Sequence, residues 1–175
     1  LEKSINFFVK DIYLIIETPD STSIKLSISK NNEGKNLVKK DVMYLIQDAK
    51  QHFLKSNNEL NIIHIIVENY VLDNLSYNFL PLEKNCKKLS IDIQFICFPK
   101  HLVKKFEKLF SNQQIYINQF ICLNYVRKFD LKTNNKNICE RGKSIVEGAN
   151  KQEVVFIPKL VAKTGFFEKL FHFFR

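Results

Sequence analysis

The hydrophobic period of this chain switches between two values along its length, and that switching limits the fold more than any other feature. Ser23 to Lys30 alternates strictly, with Ile24, Leu26 and Ile28 on one side and Lys25, Ser27 and Ser29 on the other. This is the pattern of a half-buried strand. From Asp41 to Leu54 the period lengthens, and Val42, Leu45, Ile46, Ala49 and Phe53 share one helical face until Ser56-Asn57-Asn58 stops the helix. Leu60 to Leu72 reads as a long strand around the run Ile62-Ile63-His64-Ile65-Ile66-Val67, and Leu75 to Lys88 as an irregular loop. Leu89 to Phe98 alternates again. Pro99 then opens a second helix, where its missing N–H costs nothing. Leu102, Val103, Phe106, Leu109 and Phe110 form that helix's expected buried stripe, with Lys100, Lys104, Lys105 and Lys108 outside. Ile115 to Val126 supplies a further strand, and a short apolar run from Asp11 to Glu17 precedes them all. Strand, strand, helix, strand, strand, helix, strand implies an α+β fold. The expectation is a two-layer sandwich, with two helices on one face of a mostly antiparallel sheet.

Composition removes several alternatives. The 175 residues are 45% hydrophobic with 16 Phe, too apolar for a chain that cannot form a core, while 4 Gly and 4 Pro exclude collagen-like repeats. No run of about 18 apolar residues suggests a membrane span. No secretory signal is read at the start, and a first residue other than Met fits an excised piece. The net charge of +9 invites a nucleic-acid reading, but Lys, Ile, Asn and Phe make up 78 of the residues, the bias of an A/T-rich genome. Arg, which binds phosphate and guanine in two-pronged fashion, occurs three times, and the lysines are scattered.

Chemistry has little to stand on. Cys86, Cys97, Cys122 and Cys139 form no CxxC pair and have no His at ligand spacing, so reduced core cysteines are expected and no metal site. His52, His64, His101 and His172 are isolated from partners, and His64, on an apolar strand, reads as a satisfied core histidine. The four glycines are too dispersed for a phosphate cradle. No catalytic residue and no cofactor is assigned.

The end of the chain has a different texture. Residues 127–162 read as a polar linker with one weak helical turn at most, among the isolated Ile138, Ile145 and Val146, and broken by the apolar patch Val154 to Ile157 that Pro158 closes. Residues 163–175 follow a helical wheel. At a step of about 100° per residue, Phe166, Phe167, Leu170, Phe171, Phe173 and Phe174 fall on one arc of about 160°, and Glu168, Lys169, His172 and Arg175 fill the other. About ten residues of helix are marginal alone in water, so this face needs a surface: a membrane interface, the protein's own core, or a partner's groove. Laid into the headgroup boundary it would gain about 5–10 kcal/mol gross, with much returned in ordering. Lys163, Lys169 and Arg175 would each add about 1 kcal/mol on an anionic leaflet. The expected membrane-binding residues are therefore Phe166, Phe167, Lys169, Leu170, Phe171, Phe173, Phe174 and Arg175.

Several segments, in order, resemble the bacterial cell-division protein FtsA of the actin-like family. Ile63-His64-Ile65-Ile66-Val67-Glu68-Asn69-Tyr70-Val71-Leu72-Asp73 resembles a family strand that reads hydrophobics, Ile-His, two residues, Pro-Gln, an aromatic, then Asp. Leu37-Val38-Lys39-Lys40-Asp41-Val42 is similar to the Val-Thr-x-x-Asp-Ile entry to a helix, and Lys87 to Ile96 to the Lys-Arg-Leu-x-Val segment that precedes another helix. Gly165-Phe166-Phe167-Glu168-Lys169-Leu170 resembles the family's membrane-targeting helix. The resemblance covers about residues 5–125 and 163–175. It implies that 1–126 is an interaction domain like the family's inserted subdomain (called 1C, an SHS2-like fold) with an edge of the actin-like core, and that 163–175 is the membrane helix. The sequence departs in places. The Pro-Gln pair is Val67-Glu68, the glycine loop is Pro81-Leu82-Glu83-Lys84-Asn85-Cys86, and no Asp-Ile-Gly-Gly-Gly-Thr follows Val126. ATP, a cofactor of the full-length family, and direct FtsZ binding are therefore not carried over.

The expected function is a reduced FtsA-like cell-division adaptor without catalysis, peripheral on the cytoplasmic side of the bacterial inner membrane. Its implied partners are anionic lipid and other division proteins or FtsA-like protomers, with no nucleic acid. A small basic nucleic-acid-binding domain and a non-functional gene fragment are the alternatives.

Overall fold

A computed structural model describes residues 8–129 and 137–154. The elements run β1 (Asp11–Ile16), β2 (Thr22–Asn31), α1 (Lys39–Ser56), β3 (Leu60–Leu72), β4 (Leu75–Tyr77), β5 (Lys88–Pro99), α2 (Lys100–Ser111), β6 (Tyr116–Cys122), α3 (Leu123–Lys128) and α4 (Ile138–Val146). The class is α+β, and most strand pairing is antiparallel: β2, β5, β3 and β4 form one sheet in that order.

Each strand's alternation decides which face it covers. β2 pairs with β5 over ten residues without a break, placing Ile24, Leu26 and Ile28 beside Phe95, Ile93 and Ile91. The stripe read for α1 is the one observed: Val42, Leu45, Ile46, Ala49 and Phe53 are buried against Ile65, Val67, Tyr70 and the odd-numbered residues of β5. Phe53 and Phe95 meet with ring centroids 5.0 Å apart. At the start of α1 the Asp41 carboxylate accepts from the Val38 N–H at 3.3 Å, satisfying one of the free first-turn donors.

Two corrections concern the layers. β1 and β6 do not join the antiparallel sheet but pair with each other in parallel. The two long helices do not share one face either. β3 and β5 carry apolar residues on both sides near one end, so Ile66, Ile96 and Phe98 point away from α1 into a second core. There they meet Val103 and partly buried Phe106 of α2, Ile16 of β1, Ile121 of β6, Val126 of α3 and Ile145 of α4. A single apolar layer cannot cover both sides of a doubly apolar strand, and the second layer follows from that. Of the stripe expected on α2, Val103 is buried, but Leu109 is 57% exposed.

Three local readings also change. The strand read to Val126 ends at Cys122, where α3 begins. The stretch read as an irregular loop from Leu75 to Lys88 begins with strand β4, joined to β3 by a two-residue hairpin turn in which Asp73 (φ 47°) and Asn74 (φ 73°) both adopt the left-handed conformation such turns need. Asp73's carboxylate accepts from the N–H groups of Lys87 and Lys88, tying the turn to β5. Finally, part of the stretch read as a linker is built into the second core. α4 is opened by a reciprocal cap, in which Asn137 Oδ1 accepts from Glu140 N–H and Glu140 Oε2 accepts from Asn137 N–H. It packs so closely on β1 that a β-carbon at Gly142 would lie 2.7 Å from Ile15 Cδ1. The C-terminal helix read at 163–175 lies outside the described residues.

Candidate functional site

The bulge at Ile63 in the β3–β5 ladder brings His64 opposite Ile96, on the face of the second core. There His64 is buried to 1% exposure and carries the main polar network of the interior. The Cys122 backbone N–H donates to its Nε2 at 3.0 Å. That nitrogen must accept, so the proton sits on Nδ1, which donates to Glu153 Oε1 at 2.7 Å. Glu153's other oxygen accepts from the Tyr125 hydroxyl at 2.8 Å, and Asn150 Nδ2 donates to the same hydroxyl at 2.6 Å. Burial, and after it the charge of Glu153, push the Tyr125 phenol well above its ordinary range against the lowering effect of Asn150.

The network is a clasp. It fixes the segment 150–154 to β3, where Val67 N–H donates to the Gln152 carbonyl and Val154 N–H to the Ile65 carbonyl, at 2.9 and 2.8 Å. Both imidazole nitrogens are engaged, so the ring offers no general base in this arrangement. The reading of His64 as a satisfied core histidine agrees with this geometry. Its partner Glu153 was not legible from sequence, because 89 positions separate the two.

The other candidates lie apart. His52 pairs with Asp48 one turn away on the surface of α1. Cys86, Cys97 and Cys122 are buried, Cys139 is exposed, and burial pushes the Cys97 thiol up to about 12. No group of three or more His, Cys, Asp or Glu among the described residues is placed to hold a metal ion, and no described helix is long and apolar enough to cross a membrane. Phe166, Phe167, Lys169, Leu170, Phe171, Phe173, Phe174 and Arg175 all lie outside the described residues.

Two surfaces remain. Beside the clasp, a cleft of about 600 Å³ lies over the polar half of the sheet, lined by Ser23, Glu68, Asn69, Gln94, Asn124 and Lys128 among others. Of its lining side chains, Gln94 donates to Ser23, and Glu68 accepts from Lys25 outside the cleft. The second surface surrounds the start of α1. The loop after β4 is held there by hydrogen bonds from Leu37 N–H to the Lys84 carbonyl and from Glu83 N–H to the Leu37 carbonyl. Val38, Phe79 (69%) and Leu82 are exposed on it, and Lys84 stands 4.4 Å from the centre of the Tyr77 ring. Exposed aromatic and aliphatic side chains with a lysine beside them make this an apolar patch on the surface.

No protein-family model matches this chain, and no curated protein matches it either.

Proposed function

We propose that this chain is a non-catalytic interaction module of FtsA-like design, held peripherally on the cytoplasmic face of a bacterial inner membrane by residues 163–175. One observation carries the reading. β1 and β6 are parallel neighbours, and between them in the chain β2, β3, β4 and β5 form a separate antiparallel sheet with α1 on one face, while α2 packs with β1 and β6 in the second core. A strand–helix–strand–strand unit (β2, α1, β3, β5) set between two strands of a parallel pair is what an SHS2-like subdomain inserted at the edge of an actin-like core would look like. The exposed face around Val38, Phe79 and Leu82 supports an adaptor role toward other division proteins or FtsA-like protomers.

The test is co-sedimentation with anionic liposomes at low and high salt, using the full chain and a chain ending at Ala162. The full chain is expected to pellet and the shortened one to stay in solution, with only part of the binding lost at high salt because the phenylalanine face is insensitive to screening. Equal behaviour of the two chains would end the membrane reading.

A further inference from the structure

The core under α1 is open to solvent beside the clasp. Between the start of α1, the loop after β4 and the segment 151–154 lies a pocket of about 430 Å³, within the roughly 300–1,000 Å³ of small-molecule sites. Val42, Ile46 and Tyr70, all buried members of that core, line it together with Val154, which packs against them. Met43 of α1 and Leu80 of the loop, both half-buried, extend the apolar wall. Phe79 also borders it, and at 69% exposure this ring does not plug the opening.

The polar groups around this pocket fall into two sets. Glu153 borders it, but its carboxylate is taken by His64 and Tyr125. Gln152 Nε2 donates to the carbonyls of Asn78 and Glu68, at 3.4 Å each, and so ties the segment to the loop after β4. These groups are already paired. Lys39 and Lys151 form the other set. Both are exposed on the border of the pocket, and among the described residues neither side chain has an ion-pair or hydrogen-bond partner. The pocket thus combines an apolar interior with two unpaired cations and no unengaged carboxylate.

We propose that this pocket binds a single-chain amphiphile with an acidic head, a free medium-chain fatty acid. Its alkyl chain lies against Val42, Met43, Ile46 and Tyr70, and its carboxylate is held by Lys39 and Lys151. An alkyl chain removes the apolar lining from water and brings no polar group of its own. A peptide segment would carry backbone N–H and C=O groups to walls whose polar partners are already engaged, and leaving them unpaired is costly. The two lysines select an anion over a neutral chain of the same length. This inference rests neither on the membrane reading nor on a division partner.

Met43 is the single methionine of this sequence, so carbon-13 labelling of its methyl group places one native reporter in the pocket, assigned by its loss in Met43→Leu. The full chain is titrated in lipid-free buffer with octanoate, decanoate and dodecanoate, each below the concentration at which it forms micelles. The methyl resonance is expected to shift saturably, with affinity rising about fourfold per added methylene while the pocket has room. The double variant Lys39→Gln, Lys151→Gln should weaken decanoate binding about fivefold and leave decanol binding unchanged. A methyl that none of the acids moves would overturn the proposal, whether the pocket is closed or held by another part of the chain. Decanol binding as tightly as decanoate, or a double variant that binds decanoate like the parent, would overturn the acidic head. A resonance that moves with protein concentration before any acid is added would assign the pocket to a second copy. A response to anionic liposomes but to none of the free acids would assign it to bilayer lipid instead. Co-sedimentation reports on the membrane reading separately, so either can fail without the other.

Discussion

The two cores of this protein share two strands but are built in opposite ways. The core under α1 takes one face from each of a few regular elements, β2, α1, β3 and β5, which follow one another in the chain. The second core gathers one to three residues from each of seven elements, from Ile16 in β1 to Ile145 in α4. β3 and β5 serve both by alternation: Ile65, Phe95 and Cys97 face one core, and Ile66, Ile96 and Phe98 the other. A core made of whole faces leaves a period in the sequence. A core made of scattered contributions leaves only unbroken apolar runs, which say that a strand is covered on both sides without saying by what.

The largest test of this comparison removes one phenyl ring from each core. Phe95 and Phe98 are fully buried on opposite faces of the same strand. Truncating either to Ala should cost about 3–5 kcal/mol, the range for deleting a buried aromatic side chain. Because β3 and β5 belong to both cores, both variants should shift a single urea transition while leaving its slope unchanged. If Phe98→Ala instead splits the transition in two, the cores fold independently and the shared strands do not couple them.

A smaller effect is expected at the clasp. Glu153→Ala leaves the His64 Nδ1–H and the Tyr125 hydroxyl without their acceptor in a buried site. A buried polar group stripped of its partner costs about 1–3 kcal/mol. Faster hydrogen exchange should appear first at Gln152 to Val154 and at Val67, whose backbone bonds the clasp holds. If exchange rises evenly across both cores, the clasp contributes to overall stability but does not specifically hold this segment.

What could be read in advance follows the same division. The helix face of α1 and the alternation of β2 and β5 were legible because each is a local period longer than a few residues. β1 and β6 were legible as strands but not as a pair, since parallel pairing across about a hundred residues leaves no local mark. α4 is legible only as a weak helical turn, although its cap, Asn137 with Glu140, is a written signal, because the isolated Ile138, Ile145 and Val146 leave no sustained period. The clasp was out of reach, because nothing near His64 in sequence points to Glu153 or Tyr125. The tail is the reverse case, the clearest pattern in the sequence and outside the described residues.

The smallest expected effect is acid sensitivity, and it belongs to the core under α1. Its hydrogen bond to Lys30 first, and a backbone bond from Val38, hold the Asp41 carboxyl below its ordinary value of 3.8 despite some opposing burial. Asp73 is held below 3.8 by the N–H groups of Lys87 and Lys88. A carboxyl whose folded value is depressed binds protons more readily in the unfolded chain, so stability rises with pH through that range. The contribution is complete above about pH 4–5 and is lost as the pH falls below 3.8 toward the folded values. The Lys30–Asp41 pair is partly exposed, which limits its share to under about 1 kcal/mol. Urea midpoints measured from pH 6 down to pH 3 should therefore fall less steeply in the double variant Asp41→Asn, Asp73→Asn than in the parent chain. If the two curves run parallel, the acid-sensitive contacts lie elsewhere, and the first core owes nothing to these two carboxylates beyond the geometry of a helix start and a hairpin turn.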